Sequence, residues 1–162
     1  MKSRGIKWTF LSFLLVGIFF PLLACDIILK AYTSGFLDHP VTVLSLPFGI
    51  EFSLEKVLNQ GAMWGVFSQY SQALFLFRIC VVIVLVVILF AFTRKKSTAF
   101  FLTLVTTGAI GNVADTLAYG HVIDMLHFTF SGHSYGIFNL ADVYIFIGCL
   151  GLIILSFLHR EN

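Results

Sequence analysis

Four apolar runs, each about twenty residues long, dominate this chain. They extend from about Trp8 to Ala31, Leu74 to Thr93, Thr98 to Ala118 and Phe138 to Leu158. A helix rises about 1.5 Å per residue, so each run can cross a hydrocarbon core about 30 Å thick. Lipid supplies no hydrogen bonds, and a helix is the open form that satisfies its own backbone there. Composition agrees: 59% of the 162 residues are hydrophobic, 11% are charged, and mean hydropathy is +0.97. Soluble domains carry about 25% charged residues. An ordinary soluble domain, a disordered chain and a disulfide-rich secreted module are all excluded. A net charge of +2 implies no nucleic-acid partner.

Basic residues set the expected orientation. Lys2, Arg4 and Lys7 precede the first run, Arg94, Lys95 and Lys96 fill the gap between the second and third, and Arg160 follows the fourth. This side is expected to be cytoplasmic, with both termini on it. Among the acids only Glu161 shares it; Asp26, Asp38, Glu51, Glu55, Asp115, Asp124 and Asp142 fall toward the other side. Arg78, early in the second run, is expected to extend its stem toward the headgroups and to play a structural rather than a catalytic part. Cys80 and Cys149 are expected to be small packing residues.

The long outer segment, about residues 32–73, contains Pro40, Pro47 and Gly49. Apolar residues Val41 to Leu46 precede the Pro-Phe-Gly break, and polar-apolar alternation from Glu51 to Glu55 follows it. That pattern predicts two short strands around a turn, half-buried at the membrane surface. The second outer segment, about Tyr119 to Ile137, reads as a loop carrying His121, Asp124, His127 and His133. The histidine spacing fits no compact metal motif, so no metal site is expected. The expected fold is a mainly α membrane protein, with four transmembrane helices and a small extracytoplasmic β element. Residues 1–162 are expected to form a single membrane-embedded domain. Leu22-Leu23-Ala24-Cys25 resembles a lipoprotein signal-peptide cleavage box, but the apolar run before it is longer than the 7–15 residues typical of a signal peptide.

The informative residues are those that are costly in lipid. A carboxylate within a span costs about 2.5–3.5 kcal/mol on insertion scales and is kept where it pairs, lines a wet cavity or does chemistry. Asp26 and Lys30 are four apart, on one helix face. Asn112 and Asp115, and Asn139 and Asp142, are each three apart near the outer ends of the third and fourth runs. Asp124, between those runs, can fold back toward Asp142. Two close carboxylates share a proton and can serve as base and acid in turn, the equipment of an aspartyl protease. The rival reading is a small proton-coupled transporter or channel subunit, since intramembrane acids also relay protons.

Five local motifs, in order, resemble those of the lipoprotein signal peptidase (signal peptidase II) family. They are Asp26-Ile27-Ile28-Leu29-Lys30, Asn59-Gln60-Gly61-Ala62, Gly111-Asn112-Val113-Ala114-Asp115, Gly120-His121-Val122-Ile123-Asp124 and Phe138-Asn139-Leu140-Ala141-Asp142. The resemblance covers nearly the whole chain. It implies an inner-membrane aspartic endopeptidase of bacteria that cuts prolipoproteins on the amino side of a diacylglyceryl-modified cysteine. It implies Asp124 and Asp142 as the catalytic dyad. Asn59, Gly61, Asn112, Asp115 and Asn139 would orient dyad and substrate, and Asp26 and Lys30 would support them from the first helix. The implied partners are lipidated prolipoproteins, membrane lipids and the peptide antibiotic globomycin, with no metal or cofactor. Two departures stand out: Thr116 replaces the Arg that usually follows the third-span Asp, and Met63-Trp64 follow the Asn-x-Gly-Ala element. The family's Arg makes polar contacts near the substrate, so its replacement bears on substrate affinity and inhibitor sensitivity rather than on the dyad.

Overall fold

The computed structural model describes residues 8–61 and 66–158. The basic residues expected before the first run, with Arg160 and Glu161, lie outside the described residues, as do Ala62, Met63, Trp64 and Gly65.

The first run forms helix α1 (Trp8–Leu14), a π-helical segment (Leu15–Phe19) and helix α2 (Phe20–Phe36), continuous as one span from Thr9 to Phe36. The remaining spans are built on α3 (Ser71–Val87), α4 (Lys96–Tyr119) and α5 (Leu140–Leu158). The first helix thus continues past Ala31 to Phe36. Its inward stripe there is polar: Asp26, Lys30 and Thr33 are its buried residues, and the lipid-facing positions are apolar. This is the amphipathic rule of a soluble helix turned inside out.

Helix α4 is the centre of the bundle and has ten buried residues, including Thr103, Thr106 and Thr107, whose hydroxyls donate to carbonyls one turn back. Helix α5 packs against it where side chains are absent. A Cβ on Gly108 would overlap the carbonyl of Ala141, and one on Gly148 would come within 2.8 Å of the Phe101 carbonyl oxygen. Close approach of this kind is the usual means of helix association in lipid. Away from the acids, Leu14, Leu89, Ala99 and Leu102 form a small apolar core. Helix α3 has no buried residue and lies at the periphery.

Both outer segments join one antiparallel sheet in the order β1-β2-β3-β4. Strands β1 (Val41–Leu46) and β2 (Ile50–Asn59) flank the Pro47–Gly49 turn as the sequence predicts. The segment read as a histidine-bearing loop is instead a hairpin, β3 (Val122–Phe130) and β4 (His133–Phe138). Its two-residue turn, Ser131-Gly132, has positive φ at both positions, the geometry that matches strand twist. Strand β3 pairs along β2 from Ile50↔Phe130 to Asn59↔Val122. A partner so distant in sequence is invisible to a local reading. Glu55 Oε2 meets His127 Nδ1 at 2.9 Å, and His127 Nε2 meets Ser134 Oγ at 2.9 Å, linking the three strands.

Candidate active site

The site begins with a buried cation. Lys30 Nζ lies 2.7 Å from Asp26 Oδ2 and 2.7 Å from Asp115 Oδ2, so α2 and α4 are joined through a lysine that is only 2% exposed. Removing charges from water is costly unless they pair and their remaining lone pairs are satisfied. Here they are satisfied by backbone. The Ala141 N–H donates to Asp26 Oδ1 at 3.0 Å, and the Ile123 N–H donates to Asp115 Oδ2 at 3.2 Å. The first bond fixes the start of α5 and the second fixes the start of β3. Gly111 allows this arrangement, since a Cβ there would sit 2.9 Å from Asp26 Oδ2.

These attachments bring two further carboxylates together. Helix α4 ends at Gly120 in the left-handed conformation (φ +77°), with its N–H on the Thr116 carbonyl. The chain then reverses into β3 and buries Asp124 four residues later. Helix α5 is capped by Asn139: its Oδ1 accepts from the Asp142 N–H at 2.9 Å, and its own N–H donates to Asp142 Oδ2 at 3.3 Å. This is a capping box with Asp in the Glu position. The Asn139 amide also donates to Asp124 Oδ1 at 2.7 Å and to Asn112 Oδ1 at 3.1 Å. One fully buried asparagine therefore touches both carboxylates. Asn59 Nδ2 donates to Asp124 Oδ2 at 2.9 Å, and Asn112 Nδ2 donates to Asp142 Oδ1 at 2.8 Å. The Gly61 N–H donates to Asn59 Oδ1 at 2.9 Å and holds that amide in register.

Burial pushes the Asp124 carboxyl up to about 6 from its ordinary 3.8. The amide donors of Asn59 and Asn139 pull it down, and the neighbouring Asp142 charge pushes it further up. Desolvation prevails because the residue is only 3% exposed. A cleft of about 410 Å³ opens over the pair, lined by Asp124, Asp142, Asn59, Asn112, Arg78, and on its apolar wall Ile145 and Phe146. A second cleft of about 500 Å³ runs over the sheet past Ser134 and Gly136 and meets the first at Asp124.

All nine residues singled out from the sequence thus join one connected network. Strand β3, not a loop, carries Asp124. The Arg78 guanidinium turns toward the protein, with Nη2 donating to the Gly61 carbonyl at 2.6 Å and Nη1 donating to Thr116 Oγ1 at 3.4 Å. Cys80 and Cys149, expected to pack inside, are exposed, as is Cys25, and Cys149 lines the dyad cleft. In a membrane protein the apolar residue has a second home, the lipid-facing surface. The sequence reading placed Arg78 early in the second run, and its contacts with Gly61 and Thr116 are what that reading did not give. That reading also missed the dual role of Asn139, whose position three residues before Asp is a capping-box spacing.

Four spans, a small sheet and a buried acidic site define a multi-span membrane protein with a polar site at one end of its bundle. A bacterial membrane enzyme solved by the in meso method at 2.3 Å resolution superposes with a TM-score of 0.80, covering 100% of this chain and 95% of that one at 22% identity. A second, solved at 1.9 Å, gives 0.74 over 96% and 97%, also at 22% identity. The family model for signal peptidase (SPase) II matches residues 18–158. The lipoprotein signal peptidase of Chlamydia pneumoniae is 42% identical over 122 residues, 72% of this chain and 71% of that protein. That of Chlamydia muridarum is 31% identical over 166 residues, covering 100% and 98%. The chain belongs to the signal peptidase II family, and it is an aspartic endopeptidase. The transporter reading is left without support.

Proposed function

We propose that Asp124 and Asp142 are the catalytic dyad, on one observation: Asn139 grips both carboxylates at the rim of a cleft. The enzyme cleaves signal peptides from prolipoproteins. In our reading the substrate carries a diacylglyceryl-modified cysteine and is cut on its amino side. The acyl chains enter sideways from the bilayer along Ile145 and Phe146, and the peptide extends over the sheet toward Ser134 and Gly136. Asp124, raised by burial, carries the proton shared by the pair. Asp142 takes a proton from the attacking water as the water oxygen bonds to the scissile carbonyl carbon, and Asp124 donates a hydrogen bond to the oxygen on which charge develops. Collapse of the adduct breaks the C–N bond as Asp142 passes its proton to the leaving amine. Asn59, Asn112 and Asn139 hold the carboxylates in place, with Gly61 steadying Asn59. The Lys30–Asp26–Asp115 cluster ties α2 to α4 and, through the Ala141 and Ile123 N–H groups, holds the starts of α5 and β3, which carry the two carboxylates.

The whole chain acts as one domain in the bacterial inner membrane, with both termini cytoplasmic and the dyad toward the outer face. Exposed apolar residues Val43, Leu44, Leu46 and Phe48 on β1 and its turn support a sheet that rests on the bilayer. Globomycin-type peptides inhibit by occupying the same cleft. The test is cleavage of a purified diacylglyceryl-modified prolipoprotein and its unlipidated form. Wild type should cut the lipidated form, and Asp124→Asn and Asp142→Asn should be inert while remaining folded in the membrane. Near-wild-type cleavage by either variant refutes the dyad.

A further inference from the structure

We propose that Arg78 is a substrate-binding residue, whose guanidinium donates to a carbonyl oxygen of the bound prolipoprotein segment. The inference rests on the dyad cleft being the substrate site. A charged side chain within a span costs about 2.5–3.5 kcal/mol near its centre and, when kept, faces a wet cavity or a partner. Helix α3 has no buried residue, so nothing in its own packing requires an arginine. The long stem could reach the headgroups, yet the head turns into the bundle and lines the dyad cleft. It also lines a cavity of about 190 Å³ beside Thr116 and Gln60.

Its contacts are incomplete for a structural ion. Among the described residues no carboxylate forms an ion pair with it; the ion pairs of Asp26 and Asp115 are with Lys30. Guanidinium has five donors, and the hydrogen bonds to Gly61 and Thr116 use two of them. An unneutralised cation with spare donors on a cleft wall is suited to oxygen acceptors of a ligand.

Its position is also indexed to both carboxylates. The Gly61 N–H holds Asn59, which donates to Asp124. Thr116 donates to the Asn112 carbonyl, and the Asn112 amide donates to Asp142. A carbonyl bound to Arg78 therefore has a set distance from the dyad, with the apolar wall of α5 opposite. Two oxygens of this class are available, a peptide carbonyl and an ester carbonyl of the diacylglyceryl group.

The experiment measures kcat and KM for wild type, Arg78→Gln, Arg78→Lys and Asp142→Asn in lipid micelles. The substrates are a diacylglyceryl-modified prolipoprotein peptide and its ether-linked dialkyl analogue. Arg78→Gln should raise KM about tenfold, the weight of one charge-assisted hydrogen bond. Its kcat and pH profile should stay near wild type, since the contact is equal in ground and transition states. If Arg78→Gln does not fold, Arg78→Lys carries the test, with a smaller rise in KM expected. A KM penalty lost with the ether analogue assigns the ester carbonyl, and one that persists assigns the peptide carbonyl. Unchanged KM in a folded variant overturns the proposal, as does a lowered Tm with unchanged KM, which would mark a structural role. Cleavage by Asp142→Asn would instead overturn the dyad, whatever Arg78 does.

Discussion

Replacing Asp124 with Asn removes a charge that the fold buries, and the consequence for stability changes sign with pH. Burial, reinforced by Asp142 and opposed by the Asn59 and Asn139 amides, raises this carboxyl from 3.8 to about 6. Between those values the native state holds a proton that the unfolded chain has released. Wild-type stability therefore falls as pH rises from about 4 to about 6, then levels off. Two pKa units correspond to about 3 kcal/mol at 1.36 kcal/mol each. Asn carries no charge, so it escapes this loss. It does present an NH2 group where Asp124 accepts from two amides, forfeiting one hydrogen bond worth about 1 kcal/mol. The variant should thus be less stable than wild type by about 1 kcal/mol near pH 3, below the unfolded pKa, and more stable by about 2 kcal/mol near pH 8. Thermal unfolding of both proteins in one detergent, compared as the difference in Tm across that range, cancels effects common to both. A difference of constant sign and size would refute the reasoning. The same proton should govern turnover, with wild-type kcat/KM declining as pH rises through about 6.

Two further outcomes follow from the packing. Gly108→Ala places a Cβ against the Ala141 backbone and 2.8 Å from Ile145 Cγ1, so α4 and α5 must separate. A loss of about 1–3 kcal/mol is expected, read as a lower Tm, and an unchanged Tm would mean the helices are not in close contact there. Lys30→Met leaves Asp26 and Asp115 buried without their cation, which should cost about 3–5 kcal/mol and sharply lower the folded yield. Adding Asp26→Asn and Asp115→Asn should recover that yield, and wild-type yield from Lys30→Met alone would show that the cluster does not hold the bundle.

Much of the site was legible because lipid makes polar residues conspicuous. Asp26 and Lys30 at helical spacing, and the Asn-Asp pairs on α4 and α5, stand out against apolar neighbours, and only inward positions can accept them. The hairpin carrying Asp124 was not legible. Its histidines and aspartate suggested a solvated loop, although Ser131-Gly132 between Phe130 and His133 is a turn signal. The strand exists because β2, more than sixty residues earlier, supplies its hydrogen bonds. The contacts of Arg78 were hidden for a related reason: its distance from the end of the run describes depth, whereas the direction of its head depends on Gly61 and Thr116.

The sequence by itself determined the four spans, the two-stranded start of the sheet and the acids and amides that face inward, because burying polarity in lipid is costly enough to act residue by residue. Only tertiary structure decided that β3 and β4 complete that sheet, that Asn139 joins Asp124 to Asp142, and that Arg78 turns toward them. Those outcomes depend on which donors meet which acceptors across elements far apart in the chain. Helical period and hydropathy carry no record of such partners; the close approach of α4 to α5 and the pairing of β2 with β3 supply them.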